Sequence, residues 1–184
     1  MMTPTSATKA TLAGLAVALI SSAANASDFN FGINNDTIEL GLYAPMSTTS
    51  RLSAEYFYHD EDGKTLGLGY QVTNRTQMGD VAIGGKLVKL WSDKRDNGHA
   101  FAIGGDYKLP LDHKLWLGLS AYYAPSVLSS SGVDRYYHAD IKVGYNLMPN
   151  ADLFVGYRDI HFKFDNQPSL TLEQGAYLGA QLKF

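Results

Sequence analysis

Charged side chains that could carry chemistry stand at alternate positions within segments that are otherwise apolar. Four acids and four bases share one parity in these segments, namely Glu39, Glu55, Asp106, Asp140, Lys86, Lys108, Lys142 and Arg158. Such a set could form an ion or proton pathway, or a site for a polar ligand. Because buried charges need partners, the set could instead be a paired structural network. We favour the paired network.

Histidine and serine raise the question of metal binding or catalysis. The five histidines, at positions 59, 99, 113, 138 and 161, do not have the close spacing of paired metal ligands. The nearest approach to a nucleophile, a base and an orienting acid is formed by Ser129, Ser130 and Ser131 with His138 and Asp140. A serine-rich segment is more often a solvated loop. The sequence therefore predicts that the protein is not an enzyme, with no catalytic, cofactor-binding or metal-binding residues.

An acidic turn, Asp60-Glu61-Asp62, could hold the divalent cations that bridge lipopolysaccharide. The calcium-loop spacing of an EF-hand is absent from this turn. We interpret the three acids as the soluble tip of a hairpin.

The elements that would position all of these residues are strands. Beyond Ser27 apolar and polar residues alternate with a period of two, and turn residues interrupt the alternation. The pattern predicts ten strands, at 28–34, 36–44, 51–59, 64–73, 80–91, 98–109, 114–124, 134–147, 151–164 and 171–184. If 28–44 is one irregular element rather than a hairpin, eight strands is the alternative.

The two faces of these strands indicate a membrane barrel. One face is aliphatic, and the other combines glycine with isolated charges of both signs, which suits a narrow barrel lumen. Aromatic residues at strand ends predict two girdles at the membrane interfaces. The outer girdle would contain Tyr58, Trp91, Phe101, Tyr123 and Tyr137, and the inner one Tyr70, Tyr107, Tyr145 and Phe184. The fold class predicted is an all-β, antiparallel transmembrane β-barrel.

Strand 151–164 does not fit this pattern cleanly. Its first apolar residues, including Val155, have one parity, whereas Ile160, Phe162 and Phe164 have the other. Either a bulge shifts the register, or the strand rises above the membrane.

Both ends of the chain indicate export to the outer membrane of a Gram-negative cell. Lys9, the apolar run 12–20 and Ala24-Asn25-Ala26 have the order of a cleavable signal peptide, so we predict a signal at 1–26 and a barrel at 27–184. The final period-two strand stops at Phe184, as expected of a client of the outer-membrane assembly machinery. The chain has no cysteine, which excludes disulfides and thiolate metal sites.

The expected partners follow from this location. They are outer-membrane lipid, lipopolysaccharide and the assembly machinery, with the protein itself a monomer. A formal net charge of −3 argues against a nucleic-acid partner. The favoured function is a structural or interaction role through the outer loops, with a lumen filled by side chains. The alternatives are a narrow pore for small solutes, an enzyme acting on lipid or peptide, and a soluble periplasmic ligand-binding barrel.

Several motifs resemble the YfaZ family of outer-membrane proteins. They are YYAPSVLSSSG at 122–132, GYNLMP at 144–149, VGYR at 155–158, DEDG at 60–63 and GGK at 84–86. The resemblance is densest over 120–160. It implies a membrane barrel in the outer membrane and brings no catalytic residue with it.

Overall fold

The computed structural model describes residues 28–130 and 132–184. The strands are β1 (Asp28–Ile33), β2 (Thr37–Ser47), β3 (Ser50–His59), β4 (Gly63–Thr76), β5 (Gly79–Ser92), β6 (Gly98–Pro110), β7 (Leu115–Ala124), β8 (Ser129–Ser130), β9 (Val133–Met148), β10 (Ala151–Phe164) and β11 (Leu170–Lys183). A short 3-10 turn spans Ser126–Leu128. The predicted signal at 1–26 lies outside the described residues. Among the residues described, no helix is long and apolar enough to cross a membrane.

Ten antiparallel strands close into a barrel. Consecutive strands pair from β1 to β7, then β7 pairs with β9, and β9, β10 and β11 follow in order. Pairing of β1 with β11 closes the ring, while the two-residue β8 lies against β6. The predicted ten-strand barrel is confirmed. The alternative of eight strands is wrong because 28–44 forms a hairpin, in which Phe31 pairs with Leu40.

The two ends of the barrel differ in the length of their connections. We call the end that holds Asp28 and Phe184 the terminal end; its turns are 48–49, 77–78, 111–114 and 149–150. The opposite end, the loop end, carries 34–36, 60–62, 93–97, 125–130 and 165–169. Short turns face the periplasm in bacterial outer-membrane barrels, so the loop end faces outward from the cell.

The outer surface carries the predicted apolar face. In β9, Ile141, Val143 and Tyr145 are exposed, whereas His138 and Asp140, which have the opposite parity, point into the barrel and are buried. Six of the nine predicted girdle residues are exposed on this surface, and Tyr58, Trp91 and Tyr107 are half-buried there. A soluble barrel would have the opposite arrangement, with its apolar face inside.

The alternation of β10 does not shift along its length. Ile160, Phe162 and Phe164 point into the barrel with Arg158, and Phe162 is fully buried. The irregularities lie in the neighbouring strands. In β11 the register passes from Glu173 to Thr171 and bypasses Leu172, and β9 has two further shifts, opposite the first and last steps of β10. The sequence left two explanations open for strand 151–164, a bulge or a rise above the membrane, and a bulge within the strand itself is not observed. Its inward face changes from polar to apolar towards the loop end.

Candidate functional site in the barrel lumen

The eight charged residues singled out from the sequence all belong to the inward face, and ion pairs join them in groups. Arg158 lies at the centre of one group, which we call the Arg158 network. Its Nε donates to Asp140 Oδ2 at 3.0 Å, and its Nη2 donates to Glu39 Oε2. Lys142 Nζ lies 3.8 Å from Asp140, and the Tyr177 hydroxyl donates to Asp140 at 2.5 Å. Arg158 is 3% exposed, so the network lies in the interior of the barrel.

Lys86 and Glu55 form a second group next to the first. Their Nζ and Oε2 atoms are 2.6 Å apart, and the Tyr43 hydroxyl also donates to Glu55 at 3.1 Å. The ammonium lies 4.0 Å from the centroid of the Tyr122 ring, which adds a cation–π contact.

Asp106 is held by a residue that the sequence analysis did not select. Arg51 Nη2 donates to its Oδ2 at 2.6 Å, Gln71 Nε2 does so at 2.6 Å, and the Tyr122 hydroxyl does so at 2.9 Å. Arg51 has the same parity in β3 as Glu55, so the period-two pattern could have identified it.

A further group lies towards the terminal end around Asp152. This carboxylate is fully buried and binds Lys183 at 2.9 Å, Lys108 at 3.4 Å and Asn146 at 2.6 Å. Asp152 and Lys183 were also missed, although both share the parity of neighbouring lumen residues. Each of the four bases selected from the sequence thus has an acidic partner, which supports the interpretation as a paired network. These bases are Lys86, Lys108, Lys142 and Arg158.

Aromatic rings fill the space between these groups by lying on inward-facing glycines. Trp116, Phe154 and Tyr177 form one buried cluster. A Cβ atom on Gly144 would come within 2.1 Å of the Trp116 ring, and one on Gly156 within 2.5 Å of Tyr177. Glycine is therefore required on this face because a ring occupies the place of its side chain.

The lumen near the loop end is apolar, which the sequence analysis did not predict. Each of several strands contributes one or two buried residues to a single cluster, here called the apolar plug. Its members are Phe57, Val88, Leu90, Ala100, Ala102, Tyr122, Ala124, Val133, Tyr136, Ile160, Phe162, Phe164, Leu170 and Leu172. Such a cluster offers an ion few polar groups to replace its hydration shell, so it opposes the passage of ions.

Loops cross-link above the plug. Arg95 Nε donates to the Pro168 carbonyl at 3.1 Å, and Gln167 Nε2 donates to Asp96 at 2.7 Å, which ties loop 93–97 to loop 165–169.

The acidic turn at 60–62 is contacted by a lysine. Lys94 lies 2.9 Å from Asp62, and hydrogen bonds to Asp62 and Glu61 raise the pKa of its ammonium group. The acidic turn therefore already has a cation from the protein. In the part of the chain that the structure describes, no group of three or more acids and histidines is arranged to hold a metal.

The space between the ion pairs includes one small cavity among the residues that the structure describes. A cavity of about 20 Å³ lies among Glu39, Glu55, Lys86, His138 and Arg158, bounded on the loop-end side by the plug. This volume holds about one water molecule.

The nearest candidates for a nucleophile, a base and an acid are not brought together. His138 points into the lumen and stacks on Tyr122, while the Asp140 carboxylate is bound by Arg158 and Tyr177. Ser129 donates instead to the Pro125 carbonyl at 3.1 Å. Ser131 lies outside the described residues.

A different hydroxyl, imidazole and carboxylate meet on the lipid-facing side. Thr171 Oγ1 is 3.0 Å from His161 Nδ1, and His161 Nε2 is 2.6 Å from Asp159 Oδ1. These last two atoms are not aligned as a hydrogen bond, so the imidazole is not oriented as in a charge-assisted triad. Asp159 also borders an apolar concavity of about 560 Å³ on the outer face of the barrel.

Comparison with known proteins identifies relatives over nearly the whole chain. A family model described as "YfaZ precursor" matches residues 7–184. The chain is 28% identical over 179 residues to "Outer membrane protein YfaZ" of Escherichia coli (strain K12), covering 96% of this chain and 99% of that protein.

Two solved outer-membrane structures are similar in shape. The KdgM porin in complex with disordered oligogalacturonate matches with a TM-score of 0.48 and 10% identity, over 87% of this chain and 99% of that one. The outer membrane channel DcaP of Acinetobacter baumannii matches with a TM-score of 0.48 and 12% identity, over 80% of this chain. The alignment spans about half of the DcaP chain, at 51%.

Proposed function

Because this chain belongs to the YfaZ family of outer-membrane proteins, we propose that it acts at its loop-end surface, as a structural or interaction protein with a closed lumen. The observation that carries the proposal is the filling of the lumen. Ion pairs occupy its terminal and middle parts, and the apolar plug occupies the loop end.

A narrow pore is the main alternative, and the lumen argues against it. Open aqueous channels are typical of barrels with roughly 16–18 strands, whereas ten strands leave room for little more than side chains. The cavity of about 20 Å³ among the ion pairs is not a passage. A solute would have to displace the plug and break buried ion pairs.

Catalysis is the second alternative, and we propose that the protein is not an enzyme. The buried His138 and Asp140 are engaged in lumen packing, which leaves them unavailable to a serine nucleophile. The candidate site for hydrolysis of lipid esters, if the protein had that activity, is the group formed by Thr171, His161 and Asp159. A fluorophosphonate probe tests this directly, because labelling that is lost in Thr171→Ala would overturn the proposal.

The proposed partners are those of a resident of the outer membrane. Lipid surrounds the apolar outer face, lipopolysaccharide contacts the loop end, and the assembly machinery recognises β11 up to Phe184. We propose a monomer that binds neither nucleic acid, cofactor nor metal.

Efflux of small solutes from vesicles tests the closed lumen. Purified protein is refolded into vesicles loaded with sugars of graded size, and protein-free vesicles give the background. The proposal predicts background efflux for every sugar. Efflux that grows with the amount of folded protein and falls with sugar size would establish a pore instead.

A further inference from the structure

We propose that the outward face of β4, β5 and β6 at the loop end binds the phosphate groups of an outer-leaflet glycolipid. The site consists of Lys64, Lys89 and His99, flanked by Tyr58 and Trp91, and is called the cationic patch below. It makes the proposed loop-end role specific. It rests on the orientation of the barrel and is independent of whether the lumen is closed.

The strand register places these side chains side by side. Lys64 pairs with Tyr58 on β3 and with Trp91 on β5, and Lys89 pairs with His99 on β6. Directly opposite residues have Cβ atoms roughly 4.5–5.5 Å apart, and diagonal neighbours such as Lys64 and Lys89 are about 7–8 Å apart. Two ammonium groups on long side chains can therefore reach one phosphate.

Lys64 and Lys89 lack the acidic partners that the lumen bases have. Within residues 28–130 and 132–184, neither lysine lies within 4.0 Å of a carboxylate oxygen. By contrast Lys163, which also faces outward at the loop end, lies 3.9 Å from Asp134. The two lysines are thus free of ion pairs within the described residues, and the acid at the edge of the cationic patch is Asp60, which accepts a hydrogen bond from the Tyr58 hydroxyl at 3.4 Å.

The depth of Lys89 argues for a ligand. On the outward face of β5, Lys89 lies between Trp91 of the aromatic girdle and the exposed Leu87 of the aliphatic band. It therefore stands at the border between the girdle and the band. A charged residue facing lipid is costly away from the interface, and a lysine there extends its ammonium towards the headgroups. At the loop end, the anions at that height are the phosphates of the outer-leaflet glycolipid.

The aromatic residues complete the complementarity. The Trp91 and Tyr58 rings lie beside Lys64 on both neighbouring strands, at a depth where ring faces contact the first carbons of acyl chains. A phosphorylated sugar with attached acyl chains presents an anion above and an apolar surface below. The cationic patch presents the matching surfaces in the same order.

Binding of lipid A with and without its phosphates tests the proposal. The folded protein in detergent is titrated with each lipid, and binding is followed by native mass spectrometry. Each lysine near an anionic membrane surface contributes about fivefold to affinity, so Lys64→Gln with Lys89→Gln should weaken binding of phosphorylated lipid A about 25-fold. Lys163→Gln, the matched control, should change it by less than about twofold.

Three results would overturn the proposal. They are unchanged affinity in the Lys64→Gln, Lys89→Gln double variant, an equal loss in the Lys163→Gln control, and equal binding of dephosphorylated lipid A by the unmodified protein. The last comparison needs no substitution and is decisive even if the double variant fails to fold. Solute efflux from vesicles separates this test from that of the closed lumen, since a conducting barrel with an intact cationic patch would refute only the closed lumen.

Discussion

Replacing Arg158 with alanine probes the energetics of the filled lumen. The guanidinium bonds Asp140 and Glu39 and lies 4.1 Å from the Tyr177 ring, so its removal leaves two carboxylates without their main cation. Lys142, at 3.8 Å from Asp140, compensates only in part.

The expected loss is large because the side chain is 3% exposed. Removing one partner of a buried ion pair costs about 3–5 kcal/mol, whereas an exposed pair contributes roughly 0–1 kcal/mol. Arg75 supplies the matched control, since it is 88% exposed and lies 3.0 Å from Asp80. We therefore expect Arg158→Ala to lower the free energy of unfolding by about 3–5 kcal/mol and Arg75→Ala by less than about 1 kcal/mol.

Denaturant unfolding in lipid vesicles, followed by tryptophan fluorescence, measures both variants. Neutralising the stranded acids by Glu39→Gln and Asp140→Asn in the Arg158→Ala background should recover at least half of the loss, because both buried carboxylates lose their charge. Lys142 then loses Asp140 as its partner, but its side chain is 18% exposed and therefore less costly to leave unpaired. An Arg158→Ala variant as stable as Arg75→Ala, or a triple variant no better than the single one, would refute the buried network.

Three further predictions test packing, orientation and assembly. Gly144→Ala should lower the free energy of unfolding by about 1–3 kcal/mol, because its new Cβ would overlap the Trp116 ring. Gly175→Ala is the control and should be tolerated, because the nearest atom to its Cβ would be 3.7 Å away. Comparable unfolding midpoints for the two variants would contradict the lumen packing. Leu117→Arg, on the outer face, should raise the free energy of folding into bilayers by up to about 2–4 kcal/mol, by an amount that varies with bilayer thickness. The cost of Ser120→Arg, on the inward face, should not vary with thickness. Equal dependence on the lipid would reverse the assignment of faces. Deleting Phe184 should slow assembly in cells more than it lowers the stability of the purified barrel, and normal assembly kinetics would remove the role of this residue.

The period-two pattern predicted the strands, and the composition of their two faces together with the aromatic girdles predicted the barrel. The alternation of β9 and β7 predicts which side chains face lipid because side-chain direction in a strand depends only on parity. The eight inward charges followed from the same rule. Which acid pairs with which base could not be predicted, because the partners of Arg158 come from β2 and β9 and depend on the closure of the barrel.

The apolar plug could not be predicted from single strands. Ile160 and Phe162 suggested either a bulge or a strand that rises above the membrane, because an inward face was expected to stay polar along its length. Each of the other strands contributes too few plug residues to change its own pattern, so the cluster becomes visible only when the loop ends of all strands are brought together. The Thr171–His161 contact was missed for a similar reason, since it depends on the register of β10 against β11.

Single-channel recording in planar bilayers tests the central claim, that the lumen is filled, most directly. The account predicts no reproducible conductance steps from the unmodified protein. It also predicts steps in a variant whose plug is truncated by Phe162→Ala and whose Arg158 network is removed by Arg158→Ala, Glu39→Gln and Asp140→Asn, provided that this variant still folds. Reproducible steps of porin size from the unmodified protein would contradict the filled lumen and make a pore the function of this barrel.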